Sequence, residues 1–118
     1  MTQPTVLVAE DEFIIGIDLC DTVKEAGFAV EGPYDTVGSA MDSVKQHRPD
    51  LAILDVRLED SDVYPLAEAL MKENVPVIFH SGEVSPEEVR QRFPQAIACS
   101  KPCPPSDMIA MVQDALPH

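Results

Sequence analysis

The sequence predicts an α/β fold in which a parallel β-sheet is covered by helices on both faces. Strand-like and helix-like segments alternate five times over 118 residues, with short connections between them. The strand segments are short apolar runs, as expected for parallel strands buried on both faces. The clearest run, Leu51–Leu54, is followed directly by Asp55. Because such sheets bind ligands beyond the carboxyl ends of their strands, Asp55 lies where a site is expected.

Composition indicates one globular domain over residues 1–118, and we expect no output domain. The hydrophobic fraction is 45%, and 21 acidic against 8 basic residues give a net charge of −13. A nucleic-acid surface needs a basic patch, so we expect no nucleic-acid partner. No apolar run approaches the ~20 residues needed to span a bilayer, and no signal peptide precedes the first strand. We therefore expect a cytoplasmic protein without a membrane partner.

The first half of the chain contains two strand–helix units and a third strand. Gly27 is well placed to end the first helix, and Pro33 closes the second strand. Apolar residues at i, i+3, i+4 and i+7 from Val37 predict an amphipathic second helix. The predicted elements are a strand over Thr5–Ala9, a helix from about Phe13 to Ala26, a strand over Ala29–Gly32, the helix that begins near Val37, and a strand over Leu51–Leu54.

The second half continues the same alternation. Pro65 falls in the first turn of the third helix, where proline is tolerated. Ser85 is a predicted N-cap for the fourth helix, which is short and mostly charged. The predicted elements are a helix marked by apolar residues between Val63 and Met71, a strand over Val77–Phe79, a helix around Pro86–Arg92, a strand over Ala96–Cys99, and a helix over Pro105–Leu116.

The three cysteines lack the paired spacing of a metal-binding knuckle. Cys20 falls on an apolar helix face, where cysteine behaves as a small hydrophobic residue, so we expect a buried, reduced thiol. Cys99 and Cys103 flank Lys101, and we expect no redox role for them.

Five polar residues follow the predicted strands: Glu10, Asp11, Asp55, Ser81 and Lys101. Right-handed crossovers bring all the carboxyl ends to one edge of the sheet. Three carboxylates at that edge repel one another unless a cation joins them, and hard oxygen ligands suit Mg²⁺. The alternative is that the acidic triplet beginning at Glu10 only starts a helix, where acids favour the helix dipole.

The same group suits phosphoryl transfer. An aspartate such as Asp55 can act as a nucleophile and form an aspartyl-phosphate. Mg²⁺ and Lys101 would supply positive charge to the phosphoryl oxygens, and the hydroxyl of Ser81 can donate a hydrogen bond to one of them. Each residue also has an ordinary explanation, since Ser81 could be a turn hydroxyl and Lys101 a solvated loop residue.

With these residues, the sequence resembles the receiver domain of bacterial two-component response regulators over nearly its whole length. VLVAEDE resembles the first strand and its acidic pair, and PDLAILDVRL resembles the phosphoacceptor strand, with Asp55 as the phosphorylated residue. Arg57 matches the position whose main-chain carbonyl binds the metal. PVIFHSG resembles the strand that ends in the switch hydroxyl, here Ser81. SKP resembles the lysine–proline signature of Lys101 and Pro102, whose peptide bond is often cis in this family.

The resemblance implies a flavodoxin-like, doubly wound sheet with strand order 2-1-3-4-5. It implies Mg²⁺-dependent transfer of a phosphoryl group to Asp55 from a histidine kinase or a phosphotransfer protein, with the domain catalysing its own phosphorylation and dephosphorylation. The output would be contact with a downstream protein, possible homodimer formation on phosphorylation, or service as a phosphate shuttle or sink. The segment VYPLAEALMKENVPVIFHSG further resembles stand-alone receivers that work with HWE-type histidine kinases.

The sequence departs from the family pattern at Ala98. Three residues before the lysine, receivers usually carry an aromatic switch residue, so the signal is expected to leave through another element. The second departure is the segment Glu83–Phe93, a poor helix former, so we expect a short or irregular fourth helix and a mobile segment there.

Two other classes share parts of this pattern. A Mg²⁺-dependent phosphohydrolase of the haloacid-dehalogenase type also uses an aspartate nucleophile, a hydroxyl and a lysine. That class needs a second acid two residues after the nucleophile, where this chain has Arg57. A flavin-binding module of the flavodoxin type needs a hydroxyl- and glycine-rich phosphate loop after the first strand, whereas the acidic triplet would repel phosphate.

Overall fold

A computed structural model describes residues 3–116 and contains one five-stranded parallel sheet with the order β2-β1-β3-β4-β5. This confirms the predicted strand order. Helices α1 and α5 cover one face of the sheet, and α2, α3 and α4 cover the other. The elements are β1 (Thr5–Ala9), α1 (Phe13–Glu25), β2 (Ala29–Tyr34), α2 (Val37–Gln46), β3 (Leu51–Leu54), α3 (Tyr64–Lys72), β4 (Val77–Ser81), α4 (Pro86–Arg92), β5 (Ile97–Ser100) and α5 (Pro105–Ala115).

The central strands explain why the sequence reads as continuous apolar runs. All four residues of β3 are fully buried, because successive side chains point to opposite faces and both faces are covered. Leu54 packs with α2, α3 and α4, whereas Ile53 packs with α1 and α5. A strand of this kind has no polar face, so the first polar residue after it marks the sheet edge.

The predicted end of the second strand at Pro33 is wrong, because β2 continues to Tyr34. An edge strand tolerates a proline, since the missing N–H can lie on the side without a neighbour, and β2 pairs with β1 alone. Gly32 precedes it with φ of 123°, and a Cβ there would collide with the carbonyl oxygen of Val8. Both Gly32–Pro33 and Lys101–Pro102 are cis peptides, the second as the family resemblance implied.

The fourth helix forms as predicted and is the shortest. The hydroxyl oxygen of Ser85 accepts a hydrogen bond from the backbone N–H of Glu88 at 3.2 Å, which confirms the predicted N-cap. Val89 is the buried residue of this helix, and Phe93 follows directly at its end and is also buried. The attachment of α4 to the core therefore depends on few side chains.

No helix within residues 3–116 is long and apolar enough to cross a membrane.

Candidate functional site

Three carboxylates and one lysine meet at the carboxyl edge of the sheet. Glu10 and Asp11 follow β1, Asp55 follows β3, and one carboxylate oxygen from each lies within 4.8 Å of the others. Backbone pairing holds two of these residues in place. The N–H of Asp55 donates to the carbonyl of Ala9 at 2.9 Å, and the N–H of Glu10 donates to the carbonyl of Tyr34 at 2.8 Å. The carboxylates are therefore fixed by extensions of the strand ladder.

Lys101 inserts its ammonium into this acidic cluster from the end of β5. Its Nζ lies 2.6 Å from Oε1 of Glu10 and donates a hydrogen bond of 3.1 Å to Oδ2 of Asp55. The contact with Glu10 has ion-pair distance without hydrogen-bond geometry, so Oε1 has no hydrogen-bond partner among residues 3–116. Glu12 lies farther off, with Oε1 at 3.7 Å from Nζ. The positive charge of Lys101 therefore reduces the repulsion between the neighbouring carboxylates.

Burial and mutual charge shift the protonation of this cluster. Burial raises the pKa of the Glu10 carboxyl to about 7, even though the ammonium of Lys101 acts to lower it. Asp55 adds to the upward shift as a neighbouring carboxylate. Burial alone would lower the pKa of Lys101, but Glu10 and Asp55 more than offset it, and the net pKa is raised. Lys101 is therefore a permanent cation, whereas Glu10 titrates near neutrality.

A small cavity of about 90 Å³ opens beside Asp55. Its volume exceeds the ~30 Å³ that one water occupies in the liquid, so it admits a group larger than a single water. The site is thus a pocket with a carboxylate and an ammonium in its wall. Its lining consists of Asp11, Glu12, Asp55, Arg57, Gly82, Glu83 and Lys101.

Ser81 ends β4 at the same edge and is directed toward the following loop. Its hydroxyl oxygen accepts hydrogen bonds from the backbone N–H groups of Glu83 at 3.2 Å and Val84 at 3.1 Å. The predicted switch hydroxyl is therefore in place at the end of its strand, but it holds the β4–α4 loop and makes no hydrogen bond with Asp55 within residues 3–116.

The donor set at this edge fits a divalent cation. Glu10 is 2% exposed, so its carboxylate is held away from solvent, with Oε1 against the ammonium of Lys101. Asp11 and Asp55 supply further hard oxygen atoms, and Arg57 lines the adjacent cavity. Hard oxygens from few carboxylates, with room for water, are the ligands that Mg²⁺ prefers.

The model of the response regulator receiver domain matches residues 6–113 of this sequence. The chain belongs to the response regulator receiver family. It is therefore a domain of two-component signalling, a class whose members bind Mg²⁺ at the acidic pocket and interact with histidine kinases or phosphotransfer proteins. Nothing in the comparisons supports the phosphohydrolase alternative.

Individual relatives agree with this assignment. The chain is 29% identical over 114 residues to the transcriptional regulatory protein PdtaR of Mycobacterium tuberculosis, covering 94% of this chain and 56% of PdtaR. It therefore spans little more than half the length of that relative. The solution structure of the PhyR receiver domain of Erythrobacter litoralis has a TM-score of 0.85 at 28% identity, covering 98% of this chain and 91% of that one. A CheY-like receiver domain of Methanospirillum hungatei JF-1 shares the fold, with a TM-score of 0.86 at 22% identity, covering 96% and 93%.

The structure also places residues that the sequence analysis missed or left without a role. His80 precedes Ser81, is 6% exposed, and has no hydrogen-bond partner on either ring nitrogen within residues 3–116. The sequence signal was a histidine inside an apolar strand.

Cys99 and Cys103 form a disulfide across Lys101, a pairing that the sequence analysis did not predict. Cys20 is buried and free, as predicted, and burial raises the pKa of its thiol.

Proposed function

We propose that this receiver domain accepts a phosphoryl group on Asp55 from a histidine kinase or a phosphotransfer protein. The observation that carries the proposal is the position of Lys101, whose ammonium contacts Asp55 and Glu10 together. A carboxylate oxygen of Asp55 forms the new bond to phosphorus, while the bond from phosphorus to the donor histidine nitrogen breaks and its electron pair leaves with the imidazole. After transfer, the ammonium of Lys101 faces the phosphoryl oxygens. Its positive charge stabilises the negative charge that develops on those oxygens during the reaction.

The metal ligands in this proposal are the carboxylates of Glu10, Asp11 and Asp55 and the main-chain carbonyl of Arg57. Bound Mg²⁺ would neutralise charge on the phosphoryl oxygens and bring them close to Asp55. The partly protonated state of Glu10 near pH 7 supports this assignment, because a buried carboxylate with a raised pKa gains most from a cation that favours its ionised form.

The output of phosphorylation leaves through the β4–α4 loop. If Ser81 turns its hydroxyl to a phosphoryl oxygen on Asp55, the hydrogen bonds that it accepts from Glu83 and Val84 must weaken. Val84 packs on the core next to α4, so this loop couples the site to the helix. Ala98 offers no aromatic ring for the usual switch. We infer that α4 presents the signal to a downstream protein, or that the domain serves as a phosphate shuttle or sink.

Asp55 can be tested directly with acetyl phosphate and Mg²⁺. We expect intact-mass analysis to show one acid-labile phosphoryl group on the wild type and none on Asp55→Asn. Asp42→Asn is the matched control, because it makes the same change in charge at an exposed position of α2. Equal labelling of wild type and Asp55→Asn, or loss of labelling in Asp42→Asn alone, would contradict the assignment.

Two further measurements separate the parts of the proposal. Lys101→Ala is expected to slow labelling by acetyl phosphate while leaving Asp55 as the labelled residue, because the ammonium stabilises charge without forming the bond.

Size-exclusion chromatography of the labelled protein tests homodimer formation, which we propose as one route of output. An unchanged elution volume would exclude homodimer formation as the route of output.

A further inference from the structure

A second and larger cavity lies between α1 and α5 and shares Glu12, Gly82 and Lys101 with the pocket beside Asp55. Its volume is about 520 Å³, within the ~300–1,000 Å³ typical of sites for small molecules. Most of the lining is apolar. The polar part consists of Glu12, Asp18, Thr22, His80 and Lys101, and the remaining lining residues are Ile15, Leu19, Gly82, Pro102, Cys103, Pro105 and Met108.

His80 gives this cavity a buried polar group that the fold does not use. Its imidazole lines the cavity and is 6% exposed, and neither Nδ1 nor Nε2 has a hydrogen-bond partner within residues 3–116. Burial lowers the pKa of His80, and Lys101 lowers it further while Asp55 acts to raise it. A neutral imidazole offers one N–H donor and one nitrogen acceptor. An unpaired buried polar group is costly, so a ligand that supplies a partner gains the corresponding free energy.

The charges around the cavity select against anions. Glu12, directly before α1, and Asp18, within α1, are exposed and line the cavity. The ammonium of Lys101 balances Glu12 only in part, because it lies 3.7 Å from Oε1 of Glu12 but nearer to Glu10 and Asp55, at 2.6 Å and 3.1 Å. A cationic group at the mouth is favoured, while a carboxylate or phosphate is repelled.

The apolar wall favours an aromatic ring over an alkyl chain. Met108 is 1% exposed, and its thioether makes favourable contacts with aromatic rings. The imidazole of His80 lies in the same lining. Leu19 and Ile15 complete the wall from α1.

We propose that the cavity between α1 and α5 is a binding site for a small aromatic amine, with its ring against Leu19 and Met108, a ring N–H or hydroxyl on His80, and its ammonium near Glu12 and Asp18. Because Lys101 lines both this cavity and the pocket beside Asp55, an occupant lies next to the residue that contacts Asp55.

Tryptamine is the probe for this site, followed by amide chemical shifts and calorimetry without any phosphodonor. We expect a dissociation constant on the order of 1 mM or tighter for a ligand of this size. Indole-3-acetate has the same ring with the opposite charge and is expected to bind at least ~10-fold more weakly, because the carboxylates at the mouth repel it. Shifts should concentrate at Thr22, Cys103 and Met108, with none at Asn74, which lines a separate cavity.

Variants locate the ligand within the cavity. Thr22→Trp fills the space from a half-buried position and should abolish tryptamine binding, whereas Ile14→Trp adds the same ring at an exposed position of α1 that does not line the cavity. His80→Leu should weaken binding roughly fivefold through the lost hydrogen bond, and His80→Asn should retain part of it.

The proposal is overturned if tryptamine gives no localised shifts, if indole-3-acetate binds equally well, or if Thr22→Trp binds like Ile14→Trp. The far-ultraviolet circular dichroism of each variant is compared with that of the wild type before titration. If Thr22→Trp fails to fold, the proposal is tested by His80→Leu and by the comparison of tryptamine with indole-3-acetate. Because no phosphodonor is present, these outcomes are independent of whether Asp55 is the phosphoacceptor.

Discussion

At the scale of the residue, the electrostatics of the site depend on one lysine among buried carboxylates. Glu10 is 2% exposed and Asp55 is 7% exposed, and both contact the ammonium of Lys101. A buried ion pair contributes little net stability, but removal of one partner leaves the other charge uncompensated. Two predictions follow from this asymmetry, and both concern the protein in EDTA, without divalent cations.

The first concerns the pH dependence contributed by Glu10. Its pKa is raised from 4.5 to about 7 in the folded state, so between those values the folded protein binds more protons than the unfolded chain. Its contribution to stability is full below pH 4.5 and is lost as the pH rises through about 7. We expect Glu10→Gln to flatten the wild-type decline in urea-unfolding free energy over this range. An unchanged slope would contradict the raised pKa.

The second concerns Lys101→Met, which keeps the long stem and removes the charge. At pH 8 we expect a loss of about 3–5 kcal/mol in the free energy of unfolding, because two buried carboxylates are left without a cation. The loss should be smaller at pH 5.5, where Glu10 is protonated. The double variant Glu10→Gln/Lys101→Met should recover part of the loss. Equal destabilisation at both pH values would show that packing of the stem matters more than charge.

At the scale of the element, α4 is the part of the fold with the weakest attachment. The helix has seven residues, and Val89 is its buried member. Phe93, which ends it, packs against Phe79 and Tyr64 with ring centroids 5.4 Å and 5.5 Å apart. Arg92 lies over the Tyr64 ring, with Cζ 4.3 Å from the centroid. This aromatic cluster, on the face opposite the α1–α5 cavity, holds the element that we propose carries the output.

We expect α4 to exchange its amide hydrogens faster than the other four helices, because a short helix with few buried contacts opens locally at low cost. Phe93→Ala should lower the free energy of unfolding by about 3–5 kcal/mol and accelerate exchange in α4 further. Gln91→Ala is the control, since it truncates an exposed residue of the same helix. Protection of α4 in the wild type equal to that of α1 would refute the expectation.

At the scale of the whole molecule, topology gathers the acidic residues of a chain that is already strongly acidic. A net charge of −13 disfavours the compact state, and the cluster at the sheet edge adds local repulsion. A ligand that binds only the folded protein stabilises it by mass action. Binding of the cation should therefore raise the free energy of unfolding even without phosphorylation.

We expect Mg²⁺ at 100 times its dissociation constant to raise the free energy of unfolding by about 2.7 kcal/mol. NaCl at equal ionic strength controls for screening, and it should have a smaller effect. Asp11→Asn should remove the specific part, whereas Asp42→Asn, which lies outside the cluster, should retain it. If Mg²⁺ and NaCl stabilise the wild type equally, the acidic cluster does not bind the metal selectively.

Much of this protein was predictable because its signals are local or depend only on chain order. Apolar runs, helix spacing and the Ser85 cap identified ten elements, and the rule for parallel crossovers brought Glu10, Asp55 and Lys101 to one edge. The predicted end of β2 was wrong because a strand tolerates Pro33 only at the edge of a sheet. Whether a strand lies at the edge cannot be seen in its local sequence. The disulfide between Cys99 and Cys103 depends on the path of the backbone around Lys101, and the sequence analysis did not predict it.

The sequence by itself determined the fold class, the strand order through its family resemblance, and which side chains meet beside Asp55. The fold class and the shared sheet edge follow from periodicity and topology, whereas the strand order is what the family resemblance implied. Only the tertiary structure decided how Lys101 divides its contacts, that Ser81 holds the β4–α4 loop, and that His80 faces a cavity between α1 and α5. These depend on the separation of side chains distant in sequence, which is fixed by packing and is not encoded in any single segment.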